Sequence, residues 1–316
     1  MKPKEVVIIE GARTPIGTYK GIFKNLSADK LGSIVIKHLI NKTKIDINQI
    51  DEVIMGQVLT AGGGQNPARQ AAINAGIPIH TPAHVVNQVC GSGLRAIISG
   101  YQSLKLGEAK KIISGGQENM SIAPHSILYR HGKKLSEDML SDTMMKDGLI
   151  DAFNNYHMGV TAENVAKEFN ISREDQDNFA LNSQNKTQNA IKNGKFKEEL
   201  IYVNINGNLI DKDEHPRAGL KLSDLQKLKT VFKENGTVTA GNSSGINDGA
   251  AALLLMTLDE AEKNSIKPLA KIISWASVGV EPSLMGLGPI EAVRSAIKKA
   301  NWSLNEVDLF EINEAF

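Results

Sequence analysis

The order of apolar and amphipathic segments near the N-terminus constrains the fold more than any other feature. Short apolar runs at residues 5–9 and 51–56 have the length of buried strands, and an amphipathic stretch at 28–42 separates them. Within that stretch, Leu31 and Val35 recur at helical spacing on one face. A strand, a helix and a strand in this order are typical of a parallel sheet, so we predict an α/β architecture.

The same alternation continues along the chain. A strand is predicted at 83–89, a helix at 94–104 and a further strand at 111–114. The sheet pattern resumes at 250–256, which is also the longest apolar run and is far too short to span a bilayer.

The region from about 120 to 239 is more polar than the rest, and we interpret it as an insertion that carries loops. It contains one clear predicted helix at 173–193. Ser172 and Asp175 are spaced as in a capping box at its start.

A weak internal repeat follows the insertion. Residues 271–276 resemble the first strand, and residues 305–310 resemble residues 48–53. A helix is predicted at 291–300 between the two later segments. Each half of the chain is therefore expected to begin as strand, helix and strand.

Composition excludes several classes of protein. Apolar residues make up 41% of the 316-residue chain, which is globular composition. With 36 basic against 35 acidic residues, the net charge of +1 gives no electrostatic case for binding nucleic acid or an anionic membrane. The single cysteine excludes an internal disulfide and a zinc site built on several thiolates, so we expect no metal and a cytoplasmic location.

Cys90 is the first candidate for chemistry. A lone cysteine is usually a small buried hydrophobe, and that interpretation stays open on composition alone. However, Cys90 lies between a predicted strand and a predicted helix and is flanked by Gly91 and Gly93. The start of a helix favours the thiolate, its N–H groups can stabilise an oxyanion, and the glycines allow a substrate carbonyl to come close. This pattern is typical of a nucleophile on a sharp strand-to-helix turn.

The segment Asn-Gln-Val-Cys-Gly-Ser-Gly-Leu-Arg at 87–95 resembles the active-site cysteine motif of thiolases. Further blocks resemble the same family in the same order, with Gln117 where the family usually has methionine; they lie at 11–15, 64–70, 115–121, 156–159, 236–245 and 313–316. The resemblance covers essentially the whole chain. It implies a thiolase-like α/β fold, layered α/β/α/β/α, with two similar βαβ-based halves, a loop domain inserted in the first half and an incomplete second half.

The resemblance also implies an activity. Thiolases join or split acyl groups by Claisen chemistry on coenzyme A thioesters. The expected reaction of this chain is the reversible condensation of two acetyl-CoA to acetoacetyl-CoA and CoA, with the acyl group carried as a thioester on Cys90. Asn313 matches the asparagine that holds a water for the thioester oxyanion, although an asparagine at a strand end also caps backbone groups. His157 and Met158, with Met285, match the short-chain biosynthetic type, in which methionine walls leave room for an acetyl-sized group.

The coenzyme A site implied by the resemblance draws on the insertion. Ser244 matches a contact to the pantetheine arm and Arg217 a contact to the nucleotide end, while Leu149, Phe232 and Ala240 match apolar wall positions. Without the resemblance, a solvated charge for Arg217 and turn chemistry for Ser244 would be the preferred interpretations.

The expected partners are acetyl-CoA and acetoacetyl-CoA, with no further cofactor. Residues 128–150 resemble the loop through which biosynthetic thiolases form tetramers, so a homo-oligomer, a dimer of dimers, is expected. The expected domains are an N-terminal half (1–120 with 247–270), a loop domain (121–246) and the start of a C-terminal half (271–316).

Two blocks that the family has after the Asn-Glu-Ala-Phe motif are absent from this chain. One is a histidine in Gly-His-Pro, and the other is a second cysteine near the C-terminus. We therefore expect a C-terminally truncated chain that is inactive alone. The alternatives are one part of a split thiolase, a non-catalytic remnant that binds CoA, and a degradative 3-ketoacyl-CoA thiolase.

Overall fold

The computed structural model describes residues 4–130, 132 and 139–316. The expected tetramer loop at 128–150 therefore lies partly outside the described residues. The strands are β1 (Val6–Arg13), β2 (Gly17–Thr18), β3 (Glu52–Gly56), β4 (Ala83–Val86), β5 (Lys111–Asn119), β6 (His125–Ser126), β7 (Ser141–Asp142), β8 (Val203–Ile205), β9 (Asn208–Ile210), β10 (Asn247–Thr257) and β11 (Ala270–Lys271). The α-helices are α1 (Ala28–Thr43), α2 (Pro67–Asn74), α3 (Ser92–Leu106), α4 (Met158–Glu168), α5 (Arg173–Lys192), α6 (Leu222–Gln226), α7 (Leu258–Lys263) and α8 (Gly288–Ala300).

The chain divides into two compact units. The first unit comprises Met1–Gly148, Phe196–His215 and Ile246–Ile272. The second comprises Leu149–Lys195, Pro216–Gly245 and Ile273–Phe316.

A mixed sheet forms the centre of the first unit. Its order is β11-β1-β10-β5-β3-β4, with β2 paired to β10. The β5–β3 and β3–β4 pairs are parallel, whereas β10 is antiparallel to both β1 and β5. The prediction of a parallel sheet is therefore confirmed only for the part formed by β5, β3 and β4. β1 and β3 do run in the same direction, but β10 and β5 lie between them.

The two faces of this sheet bury different sets of side chains. On β5, Ile113 belongs to a cluster that includes Leu31 and Val35 of α1, and both helix residues are fully buried. The neighbouring Ile112 belongs to a second cluster, with Leu104 of α3. Because side chains alternate along a strand, α1 and α3 cover opposite faces. This three-layer arrangement fixes where α3 begins.

Several predicted boundaries shift. The strand predicted at 83–89 ends at Val86, and the helix predicted at 94–104 extends from Ser92 to Leu106. Of the segment predicted at 271–276, only its first residue, Lys271, lies in a strand. Residues 305–310 form no strand in the described chain, and a 3₁₀ turn covers Leu304–Glu306. The corresponding part of the first half also has a 3₁₀ turn, at Ile47–Gln49, so the repeat is visible locally.

The second unit is largely helical. α5 begins with the predicted capping box, in which Ser172 Oγ accepts from the Asp175 N–H and the Asp175 carboxylate accepts from the Ser172 N–H. Two helices of the insertion, α4 and α6, were not predicted. α4 packs against a 3₁₀ helix at Pro282–Leu287, and Asn164 Nδ2 donates a 3.0 Å hydrogen bond to the Ser283 carbonyl.

Candidate active site

Cys90 lies in the first unit, in a tight turn between β4 and α3, and it is exposed. The residue before it, Val89, has φ +48°. A positive φ is rare for a β-branched residue and costs about 1–3 kcal/mol, so the rest of the structure must hold the turn in place. Strain of this kind is concentrated at functional sites.

The Cys90 turn is held by groups of its own motif. Ser92 is 4% exposed; its Oγ donates to the Val89 carbonyl at 2.6 Å and accepts from the Gln88 N–H at 2.9 Å. The N–H groups of Gly91 and Ser92 donate to the carbonyls of Gln88 and Val89, at 3.0 Å each. These two N–H groups therefore close the turn.

The end of β3 lies directly against the start of α3. A Cβ on Gly56 would lie 2.3 Å from the carbonyl carbon of Ser92 and 2.4 Å from the nitrogen of Gly93. Only glycine at position 56 allows this approach. The close contact fixes the first turn of α3, and with it the position of Cys90 at the positive end of the helix dipole.

A partly buried carboxyl that was not predicted braces the loop after β3. Glu118 accepts hydrogen bonds from the N–H groups of Val58 at 2.8 Å and Leu59 at 3.2 Å. Desolvation, with a smaller contribution from the nearby Asp248, raises the pKa of Glu118 to about 7, although the two backbone donors act to lower it. The only sequence signal was its place in the 115–121 block.

The unusual Gln117 is also buried beside this loop. Its Nε2 donates to Oε1 of Gln57 at 2.9 Å, and Gln57 Nε2 donates to the Leu59 carbonyl at 3.0 Å. Gln117 Oε1 has no hydrogen-bond partner among the described residues. The substitution of glutamine for the family's methionine thus adds a buried polar link between β5 and the segment after β3.

His157 caps α4 in the second unit. Its Nδ1 accepts a 2.9 Å hydrogen bond from the Gly159 N–H, and its ring stacks on Phe232 with centroids 4.5 Å apart. Burial lowers the pKa of His157, so the ring is neutral and Nδ1 is free to accept. Phe232 in turn meets Phe316 edge to face, at 6.0 Å between centroids.

The segment with Asn313 is attached to the segment with Ser244. The Ser244 N–H donates to the Ala315 carbonyl at 3.0 Å, and Ser183 Oγ donates to Glu314 Oε2 at 2.6 Å. Asn313 itself is exposed and lies outside regular structure. Its placement therefore depends on the residues that follow it.

The remaining candidates also lie in the second unit. Arg217 is exposed, and its N–H donates to Gln184 Oε1 at 2.9 Å. Ala240 is exposed, Leu149 is partly buried at the end of a π-helical turn, and Met285 is partly buried in the 3₁₀ helix. The structure thus places all the candidates except Cys90 in one unit, together with the His157–Phe232 stack.

No group of three metal-ligating side chains occurs among the residues that the structure describes. Within the same residues, no helix has both the length and the apolar character needed to cross a membrane.

An exposed cysteine at a strained strand-to-helix turn, on an α/β sheet covered by helices on both faces, is typical of enzymes that work by nucleophilic catalysis. The chain belongs to the thiolase family: the model of the thiolase N-terminal domain matches residues 6–259, and that of the thiolase C-terminal domain matches residues 266–316.

Individual relatives agree with this assignment. The chain is 51% identical to the acetyl-CoA acetyltransferase of Paracoccus denitrificans over 316 residues, which is 99% of this chain and 81% of the relative. It is 49% identical to the cytosolic acetyl-CoA acetyltransferase of Rattus norvegicus over 317 residues, covering 98% of this chain and 80% of that one.

A solved structure confirms the predicted α/β thiolase fold. The acetyl-CoA acetyltransferase of Bacillus anthracis superposes with a TM-score of 0.96 at 37% identity, covering 99% of this chain and 81% of that chain. The chain spans about four fifths of the length of these relatives, and none of these matches shows it to be truncated or inactive.

Proposed function

We propose that this chain is an acetyl-CoA acetyltransferase, which condenses two acetyl-CoA to acetoacetyl-CoA and CoA and also catalyses the reverse reaction. The observation that carries the proposal is the position of Cys90, exposed on a strained turn at the start of α3. Membership of the thiolase family and the names of the relatives support the same activity.

The proposed reaction has two steps. In the first, Cys90 Sγ loses its proton and attacks the thioester carbonyl of acetyl-CoA, the carbon–sulfur bond to CoA breaks, and CoA takes up a proton and leaves as its thiol. In the second, the α-carbon of another acetyl-CoA loses a proton and attacks the acetyl group on Cys90. A carbon–carbon bond forms, the bond to Cys90 breaks, the Cys90 sulfur takes up a proton and is again a thiol, and acetoacetyl-CoA is released.

Asn313 is proposed to hold the water that stabilises the oxyanion on the thioester. Its attachment through Ala315 and Glu314 supports this role, because an exposed side chain can orient a water only if its backbone is fixed. If Asn313 instead only caps backbone groups, Asn313→Ala should leave the reaction rate unchanged.

A preference for acetyl-sized groups is proposed from Met158 and Met285. Met158 begins α4, and Met285 lies in the 3₁₀ helix that packs against α4. The two methionines therefore belong to one packed pair of elements. Shortening either side chain is expected to allow longer acyl groups.

The coenzyme A contacts are proposed at Ser244, Arg217, Ala240, Phe232 and Leu149. Support comes from their common location in the second unit and from the His157 ring that stacks on Phe232. An exposed arginine and an exposed serine on irregular segments are available to a phosphorylated ligand.

A homo-oligomer is proposed as the working form. β4 lies at one edge of the sheet, and nearby residues of the first unit include the strongly exposed Ile79 (82%) and Leu94 (66%). An open edge beside exposed apolar side chains is a usual place for two copies of a chain to meet. Light scattering on the purified protein tests this.

The cytoplasm is proposed as the location because Cys90 must stay reduced to act.

The proposal is tested by acetoacetyl-CoA thiolysis with free CoA, comparing the chain with its Cys90→Ser variant. The chain should consume acetoacetyl-CoA and the variant should not, because serine at this turn is a far weaker nucleophile. Equal rates for the two proteins, including equal absence of activity, would contradict the proposal.

A further inference from the structure

The segment at 236–244 carries two of the proposed coenzyme A contacts, Ala240 and Ser244, yet it contains neither helix nor strand. Its backbone N–H groups therefore need partners outside regular structure. The buried carboxylate of Glu163 accepts two of these N–H groups, and the buried carboxylate of Asp177 holds the Asn242 side chain, which accepts a third.

Glu163 comes from α4 and is 5% exposed. Its Oε1 accepts hydrogen bonds from the N–H groups of Thr237 and Val238, both at 2.8 Å. Its Oε2 accepts from Thr237 Oγ1 at 3.0 Å. Three donors from two consecutive residues thus converge on one carboxylate, which compensates the cost of burying its charge.

Asp177 comes from α5 and is fully buried. Its Oδ1 accepts from Asn242 Nδ2 at 3.0 Å, and its Oδ2 accepts from Arg173 Nε at 2.8 Å. Asn242 Oδ1 in turn accepts the Thr239 N–H at 2.7 Å. Asp177 therefore holds the second half of the segment through one intermediate side chain.

At the start of the segment, a side chain at Gly236 could be accommodated only if the Glu163 carboxylate moved. A Cβ on Gly236 would lie 2.3 Å from Glu163 Oε1. The Glu163 carboxylate is thus in direct contact with the backbone where the segment begins. Asn242 holds the segment at a second point, two residues before Ser244.

We infer that Glu163 and Asp177 are positioning residues, which hold the 236–244 segment in the shape that binds the pantetheine arm of coenzyme A. The inference rests on the proposed function, because it concerns the same substrate. Neither carboxylate needs to touch the substrate, since each acts through the backbone or through Asn242.

Glu163→Gln is the sharpest variant. It keeps the size of the side chain but replaces one acceptor oxygen by an amide that donates, which then faces the donors of Thr237. Glu168→Gln is the matched control, because Glu168 lies on the same helix and is exposed.

The readout compares two acetyl donors in the acetylation of Cys90. One is acetyl-CoA, and the other is S-acetyl-N-acetylcysteamine, which lacks most of the arm and the whole nucleotide. We expect Glu163→Gln to raise the half-saturating concentration of acetyl-CoA by about 10-fold or more, as for loss of a hydrogen-bonded charged group. The rate with the short donor and the behaviour of Glu168→Gln should be unchanged. An equal effect on both donors, or none on either, would overturn the inference.

A second variant covers the case in which Glu163→Gln does not fold. Thr237→Val removes only the hydroxyl donor to Glu163 and keeps both N–H groups, so a smaller rise of about 3-fold for acetyl-CoA alone is expected. No rise in Thr237→Val, together with a Glu163→Gln variant that does not fold, would leave a purely structural role and refute the inference.

Protection of Cys90 from iodoacetamide by free CoA separates this inference from the proposed function. If CoA fails to protect the unaltered chain, the proposed function fails and the inference fails with it. If CoA protects the unaltered chain and Glu163→Gln equally, at the same concentrations, only the inference is wrong. The expected result is protection of both, with a higher CoA concentration needed for the variant.

Discussion

The main-chain N–H of Ser244 donates a 3.0 Å hydrogen bond to the carbonyl oxygen of Ala315. This bond joins the segment proposed to bind coenzyme A to the segment that carries Asn313. It uses the backbone of Ser244, so the hydroxyl of the same residue is available to a ligand. The two roles of Ser244 can therefore be separated by substitution.

Ser244→Ala should leave the free energy of unfolding unchanged, because the N–H to Ala315 is retained. Affinity for CoA should fall by about 5-fold, as expected for one lost hydrogen bond of about 1 kcal/mol. Isothermal titration with CoA and denaturant unfolding measure the two quantities.

The neighbouring Ser243 provides a control with the opposite pattern. Its Oγ donates to the carbonyl of the fully buried Thr239 at 2.7 Å. Ser243→Ala should therefore lower the free energy of unfolding by about 1 kcal/mol. If Ser244→Ala destabilised the fold as much and left CoA affinity intact, Ser244 would have a structural role alone.

Gly56→Ala should destabilise the first unit and slow the reaction of Cys90. The added Cβ would meet the backbone of Ser92 and Gly93, which cannot move without shifting the start of α3. Overpacking of this kind costs about 1–3 kcal/mol. Denaturant unfolding and the rate of Cys90 alkylation by iodoacetamide measure both effects.

Gly279→Ala is the comparison for this substitution, since a Cβ at that position meets nothing within 4 Å. It should change neither quantity. Equal behaviour of the two variants would show that the approach of β3 to α3 does not determine the position of Cys90.

Glu118 should make the stability of the fold depend on pH. Burial raises its pKa from 4.5 to about 7, so the folded state binds a proton more tightly than the unfolded state. Stability contributed by the protonated form is present below about pH 4.5 and is lost as pH rises to about 7, by about 3 kcal/mol in total.

Replacing Glu118 by glutamine should remove this part of the pH dependence, as measured by denaturant unfolding at intervals across that range. The exposed Glu108 serves as control, and Glu108→Gln should keep the dependence of the unaltered chain. If the free energy of unfolding of Glu118→Gln depended on pH as in the unaltered chain, Glu118 would be charged in the folded state across this pH range.

The sequence predicted the features that depend on local pattern. α1, the capping box of α5 and the position of Cys90 between a strand and a helix all follow from residue spacing. The fold family follows from the order of the motifs. The division into 1–120 with 247–270, 121–246 and 271–316 stays a prediction, as do the roles of the individual site residues.

The features that were missed depend on contacts between distant segments. β10 pairs with β1 and β5 although more than a hundred residues separate it from either, and no local pattern specifies that order. The strand predicted at 83–89 ended at Val86, and the chain then enters the turn in which Val89 has a positive φ. The partly buried Glu118 and the buried Glu163 were overlooked because glutamate is mostly exposed, and their donors come from remote backbone.

The most direct test of the central claim is the mass of the intact chain after incubation with acetyl-CoA and rapid acid quenching. Because Cys90 is the only cysteine in the sequence, a thioester can form at one position alone. We predict a mass increase of one acetyl group, located by peptide mapping to Cys90, removed by added CoA and absent from Cys90→Ser. A chain that stays unmodified, or an acetyl group that persists in Cys90→Ser, would contradict the account.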